Sequence, residues 1–249
     1  MHKLFYFSLH VVYMRKLKDA ENPFRQVFLT DDDTILKVQE ESDDPILKYA
    51  AKHPNQFARC LQSWTKDGLH YYVYEKMDFV LEKMKLTKKQ LYSMLCQVAL
   101  ILRELRKNGW AWSDLHEGQF GAVKCDGSVK IDGTTVPAHG YRFKVLDFGY
   151  FVHKSDKNKE KHEDYVRFSN VKLIGPSLWD YLVPSVFASE SRQDFEYREL
   201  FKIEPVAARI AVYRALRGRK TNVPVDDILF FGIHGLLSDE SVAYMKRKL

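Results

Sequence analysis

The chain has 249 residues, 45% of them apolar and 14% aromatic, and its formal net charge of +6 comes from 39 Lys and Arg against 33 Asp and Glu. That length suits one domain or two lobes sharing a cleft, with apolar residues enough for a full core. Only 12 Gly and 8 Pro are present, which excludes collagen-like and low-complexity classes, and the mild basic excess matches no nucleic-acid-binding motif.

In chain order, residues 4–14 (LFYFSLHVVYM) are mostly apolar and follow Lys3. The run is too short to span a bilayer, and it lacks the small-residue cleavage site of a signal peptide. Its aromatic and β-branched content predicts a strand. Residues 24–29 predict a second strand, and a turn at Asp31–Asp33 leads into a third at 34–38 (TILKV). Residues 46–52 (ILKYAAK) predict a short helix, broken by HPN at 53–55. Residues 57–64 and 70–77 predict two strands joined by a turn at Lys66–Gly68.

After residue 80 the pattern changes. Residues 88–109 carry Leu91, Met94, Leu95, Val98, Leu102 and Leu105 at helical spacing, with Asn108-Gly109 as the stop. Residues 123–149 predict a strand pair with a Gly/Pro-rich connection, and 154–164 (KSDKNKEKHED) a solvated charged loop. Helices are expected at 177–187, 198–218 and 225–237. Cys60, Cys96 and Cys125 lie far apart without CxxC or Cys/His spacing, which predicts reduced thiols in an intracellular protein and no zinc site.

The chemistry concentrates in two stretches. GWAWSDLHEGQFGAV (109–123) places Asp114 in a loop after the long helix, and KVLDFGYF (144–151) places Asp147 at the end of an apolar strand, followed by Phe148 and Gly149. Phosphoryl transfer needs two such carboxylates, one to orient or deprotonate the attacking hydroxyl and one to hold Mg²⁺ against nucleotide phosphates.

Strands, a lysine-bearing strand, a short helix, more strands, a long helix, an Asp loop and Asp-Phe-Gly: this order resembles the protein-kinase-like superfamily. The resemblance implies an α+β, two-lobed fold, with a strand-rich N-lobe over residues 1–77 and a mainly helical C-lobe over 78–249. It further implies ATP and Mg²⁺ as cofactors and a hydroxyl-bearing acceptor, either a protein Ser/Thr or a small molecule. Asp147 would bind the metal, and Gln119, five residues after Asp114, stands where the family has an Asn metal ligand. Asp114 would be the catalytic residue. Lys37 would contact the α- and β-phosphates, and backbone groups around Glu75 and Met77 would meet the adenine. Asp43 or Asp44 would partner Lys37, with Glu40 and Glu41 in reserve, although both Asp residues also read as helix N-caps. Asp180 would anchor the catalytic loop, with Asp226 or Asp227 as competitors.

The departures are specific. Trp112 and Ser113 replace the family's His and Arg, and the latter change removes the usual partner of a phosphorylated loop. DLHEGQ (114–119) also resembles the loop of aminoglycoside- and choline-kinase-type phosphotransferases, which gives His116 a familiar position. No glycine precedes Lys37, whereas the family covers the phosphates there with a Gly-rich loop. That absence supports a catalytically silent binding module as the alternative. The basic residues Arg214, Arg217, Arg219 and Lys220 read as a solvated helix end.

Overall fold

The computed structural model describes residues 3–7, 10–18, 26–40, 42–112, 117–149, 151–155, 224–234 and 237–249. A six-stranded antiparallel sheet occupies the first third, in the order β1-β2-β3-β4-β6-β5. Its strands are β1 (Lys3–Phe7), β2 (His10–Lys18), β3 (Gln26–Thr30), β4 (Thr34–Gln39), β5 (Cys60–Lys66) and β6 (Leu69–Glu75). Residues 4–14, expected as one strand, thus form parts of two, with Phe7 opposite His10 and Lys3 opposite Met14. The run is apolar on both sides of Ser8-Leu9 and long enough to pair with itself, which satisfies backbone groups that a lone strand would leave open. β5 and β6 meet at a two-residue turn in which Asp67 (φ 51°) and Gly68 (φ 78°) both take left-handed backbone, the geometry that Asp-Gly favours.

Helix α1 (Asp44–Ala50) carries Pro45 in its first turn and buries Ile46 and Ala50. Pro is tolerated there because its missing N–H would have no intrahelical partner. Helix α2 (Lys88–Lys107) is the longest and most buried helix among the described residues. Thr87 and Gln90 close a reciprocal capping box at its start, and every residue from 91 to 102 is buried. The expected stripe is therefore only one face of a helix enclosed all round. It packs on the strands that follow it and on the C-terminal helix. Full burial of each Leu, Ile or Val contributes about 1.5–3 kcal/mol, so this helix holds much of the core.

A three-stranded sheet, β7 (Phe79–Val80), β9 (Phe120–Cys125) and β12 (Gly140–Val145), runs in the order β12-β9-β7. The Gly/Pro-rich connection from β9 to β12 is itself a hairpin of β10 (Ser128–Ile131) and β11 (Thr134–Pro137). Val129, Ile131 and Val136 alternate inward, and Asp132-Gly133 turns the chain with φ of 44° and 74°. β8 (Trp110–Trp112) pairs with β13 (Phe151–His153). Gly121 on β9 lies where a Cβ would collide with the side chains of Met77 and Leu146. Gly121→Ala is expected to destabilise the protein by about 1–3 kcal/mol through overpacking, read as a lower urea midpoint at unchanged slope.

Near the C-terminus, α3 (Val225–His234) and α4 (Asp239–Arg247) follow one another. The helix expected at 225–237 is described to His234, and α4 was not anticipated. Its signal is present nonetheless: Ser238 accepts a hydrogen bond from Ser241 N at 3.1 Å, and Asp239 and Glu240 fill the first turn. The helices expected at 177–187 and 198–218, Asp180, and the basic cluster at 214–220 lie outside the described residues. Among those described, the chain is α+β and strand-rich, with three helices beyond residue 78, so a mainly helical second half is not evident. No described helix is long and apolar enough to cross a membrane.

Candidate active site

Strand β4 delivers Lys37 with 5% exposure. A buried ammonium is costly unless paired, and this one is paired twice. Its Nζ donates to Asp43 Oδ2 at 2.9 Å and Oδ1 at 3.3 Å, and to Asp147 Oδ1 at 2.7 Å. Two carboxylates, one six residues away and one 110 residues away, thus converge on one cation. Asp43 is the partner among the acidic candidates. It stands at the N-cap position of α1, yet its carboxylate makes no capping bond there. It is fully buried and instead accepts from Gln39 Nε2 at 2.7 Å and Tyr74 Oη at 2.8 Å. Asp44 is exposed and accepts from Tyr72 Oη at 3.2 Å.

Asp147 follows β12, and Gly149 N donates to its Oδ1 at 3.0 Å. The Asp-Phe-Gly turn thereby fixes the carboxylate that faces Lys37. Gln119 is buried at the end of the 3₁₀ turn Glu117–Gln119. Its backbone oxygen accepts from Leu146 N at 2.8 Å, so it sits beside the residue preceding Asp147. Asp114 and His116 lie outside the described residues, between Trp112 and that turn.

Phe148 turns inward with 2% exposure. Its ring stacks on Tyr74 at 5.2 Å and on Phe57 at 6.1 Å, and Tyr74 stacks on Tyr72 at 6.0 Å. This column joins the six-stranded sheet to the turn bearing Asp147. Backbone bonds reinforce the junction: Ala58 N donates to Val145 O and Val145 N to Gln56 O, both at 2.8 Å. Trp112, at the end of β8, is buried and stacks on Phe151 at 4.8 Å.

The side chains of Glu75 and Met77, whose backbone is expected to meet an adenine, make contacts of their own. The Glu75 carboxylate accepts from Lys144 Nζ at 2.6 Å, from Arg59 N at 2.9 Å and from Arg59 Nε at 3.2 Å. Its own N–H donates to Arg59 O at 2.9 Å, so that amide is already engaged. Burial pushes the Glu75 carboxyl up, but Lys144 and Arg59 outweigh it and hold it below the ordinary carboxylate range. Met77 is buried, its side chain filling the space above Gly121 beside Leu146. The residues missed from the sequence are Gln39, Tyr74 as a hydroxyl donor, and Lys144. Gln39 was legible, because it lies two residues from Lys37 and so on the same face of β4.

Asp227 is buried, accepting from Tyr92 Oη on α2 and from Tyr244 Oη on α4, with Lys248 Nζ at 3.6 Å. These partners make it a tie between helices. The three cysteines are free, and burial pushes the Cys60 and Cys96 thiols up to about 11.

Magnesium requires oxygen donors, and it is usually held by one or two carboxylates together with substrate phosphates. Asp147 and the amide oxygen of Gln119 fit that donor chemistry. Among the described residues no group of three His, Cys, Asp or Glu forms a dedicated metal cage.

No family model matches the chain, and no curated protein matches it. Among solved structures, the chain is similar to one described as "WaaP in complex with acyl carrier protein", at 14% identity and a TM-score of 0.42, over 94% of this chain and 86% of that one. The likeness is too slight to carry an inference about fold or function.

Proposed function

We propose that this chain is an ATP- and Mg²⁺-dependent phosphotransferase of the protein-kinase-like type, with its site between an N-lobe of residues 1–77 and a C-lobe of 78–249. The observation that carries the reading is the double pairing of Lys37 with Asp43 and Asp147. A strand lysine, an acid ahead of the next helix and an Asp-Phe-Gly carboxylate meet at one point, as the motifs imply. In this reading Lys37 neutralises phosphate oxygens, and its hold on Asp43 keeps the ammonium from drifting when they arrive. Asp147 and Gln119 would hold Mg²⁺, which supplies charge neutralisation across the phosphates. Asp114 orients the acceptor hydroxyl and takes its proton. Rate gain comes from positioning and charge neutralisation. The acceptor is a protein Ser/Thr hydroxyl in the first instance, with a small hydroxyl compound as the alternative.

One observation favours a second reading, a kinase-like binding or scaffold module with weak or no catalysis: no glycine precedes Lys37, so backbone amides approach phosphates less closely there. Transfer of γ-phosphate to a mixed panel of proteins and metabolites separates the two, with Asp114→Asn as control. Transfer by the wild type that falls by about 10²-fold or more in the control supports catalysis. No transfer by the wild type supports the module, and undiminished transfer by Asp114→Asn removes Asp114 from the chemistry.

A further inference from the structure

We propose that Tyr74 is a positioning residue for the Lys37 cation, acting through Asp43. The inference rests on the nucleotide-site reading above and adds a residue to it.

Asp43 precedes α1 and is fully buried. Its carboxylate accepts from Lys37 and Gln39, both on β4, and from Tyr74 on β6. Its backbone N–H donates to Tyr72 Oη at 2.9 Å, again on β6. The four side chains Lys37, Gln39, Tyr72 and Tyr74 belong to the sheet, while the Asp43 carbonyl also accepts from Ile46 N of α1 at 3.3 Å and Tyr72 Oη donates to Asp44 of α1 at 3.2 Å. The carboxylate itself is pinned to the same two strands that carry the lysine and its neighbours.

Tyr74 is suited to the task on two counts. Burial, and then the Asp43 carboxylate, push its phenol well above the ordinary range, so its hydroxyl stays a donor. Its ring meanwhile lies against Phe148, the neighbour of Asp147. One side chain therefore touches the segments bearing both carboxylates that hold Lys37.

Tyr74→Phe keeps the stack and removes only the hydroxyl. Asp43 is inaccessible to water, so the lost donor is not replaced. The dissociation constant of MgATP, measured by titration calorimetry, is expected to rise about five- to tenfold. A residue that merely supports the fold would add its effect to any other. A residue acting through Asp43 would not, so Tyr74→Phe is expected to have no further effect in an Asp43→Asn background. Should Asp43→Asn fail to fold, Gln39→Leu replaces it, since that change removes another donor to the same carboxylate and the two losses combine non-additively. Unchanged affinity in Tyr74→Phe, or additive losses, overturns the inference while leaving the nucleotide site standing. A wild type that binds no MgATP overturns both.

Discussion

Asp147→Asn is expected to lower phosphoryl transfer by about 10²-fold or more, with the melting temperature changed by only a few degrees. The asymmetry follows from what the carboxylate touches. Asn retains an oxygen able to accept from Gly149 N or Lys37, so the turn and the lysine keep a partner. Lys37 also keeps Asp43, so no buried charge is left alone. What disappears is the negative charge on the only described carboxylate that pairs with Lys37 from the Asp-Phe-Gly turn. Single-turnover transfer at saturating ATP, with melting curves alongside, checks the prediction. Full activity in Asp147→Asn would remove Asp147 from the metal role.

The second large effect is on stability. Glu75→Ala strands Lys144, which is 5% exposed and has the Glu75 carboxylate at 2.6 Å. Breaking a buried pair from one side costs about 3–5 kcal/mol, and the partial exposure of Glu75 brings the expectation to about 3 kcal/mol, or roughly 6–12 °C in Tm. Replacing both partners, Glu75→Met with Lys144→Met, is expected to recover most of the loss, because no orphaned charge remains. Acid sensitivity carries the same signature. The folded-state pKa of Glu75 is lowered from its ordinary value of 4.5, so its contribution is present above that value and is lost as pH falls below it. Urea midpoints between about pH 6 and pH 3 in wild type and Glu75→Gln would show it: the variant's curve is the flatter of the two in the acid limb. Parallel curves would mean that the carboxylate gains nothing from its two cations.

Local periodicity made much of this legible. The long helix, the Asp67-Gly68 hairpin and the lysine strand are each fixed by neighbours within a few residues, and the structure keeps them. The single strand expected at 4–14 fails for a physical reason. Its split into two depends on which runs pair with which, and alternation alone does not state that. In the site, Lys37 and Asp147 are brought together as their motifs imply, while the choice of Asp43 over Asp44 was undecidable in sequence. It is settled by Gln39 and Tyr74, whose side chains converge only once β4 and β6 lie side by side. Glu75 was read from its position, and a position says nothing of a lysine 69 residues away.

The stitch between residues 56–58 and Val145 has a mechanical consequence. Two bodies joined by a single strand can twist freely about it. Here the six-stranded sheet is held to β12 at a second place, where Lys144 of β12 grips Glu75 at the end of β6. A junction held at two points resists both twisting and sliding of β12 against the sheet, so the Asp-Phe-Gly turn that follows β12 keeps a fixed distance from the lysine strand.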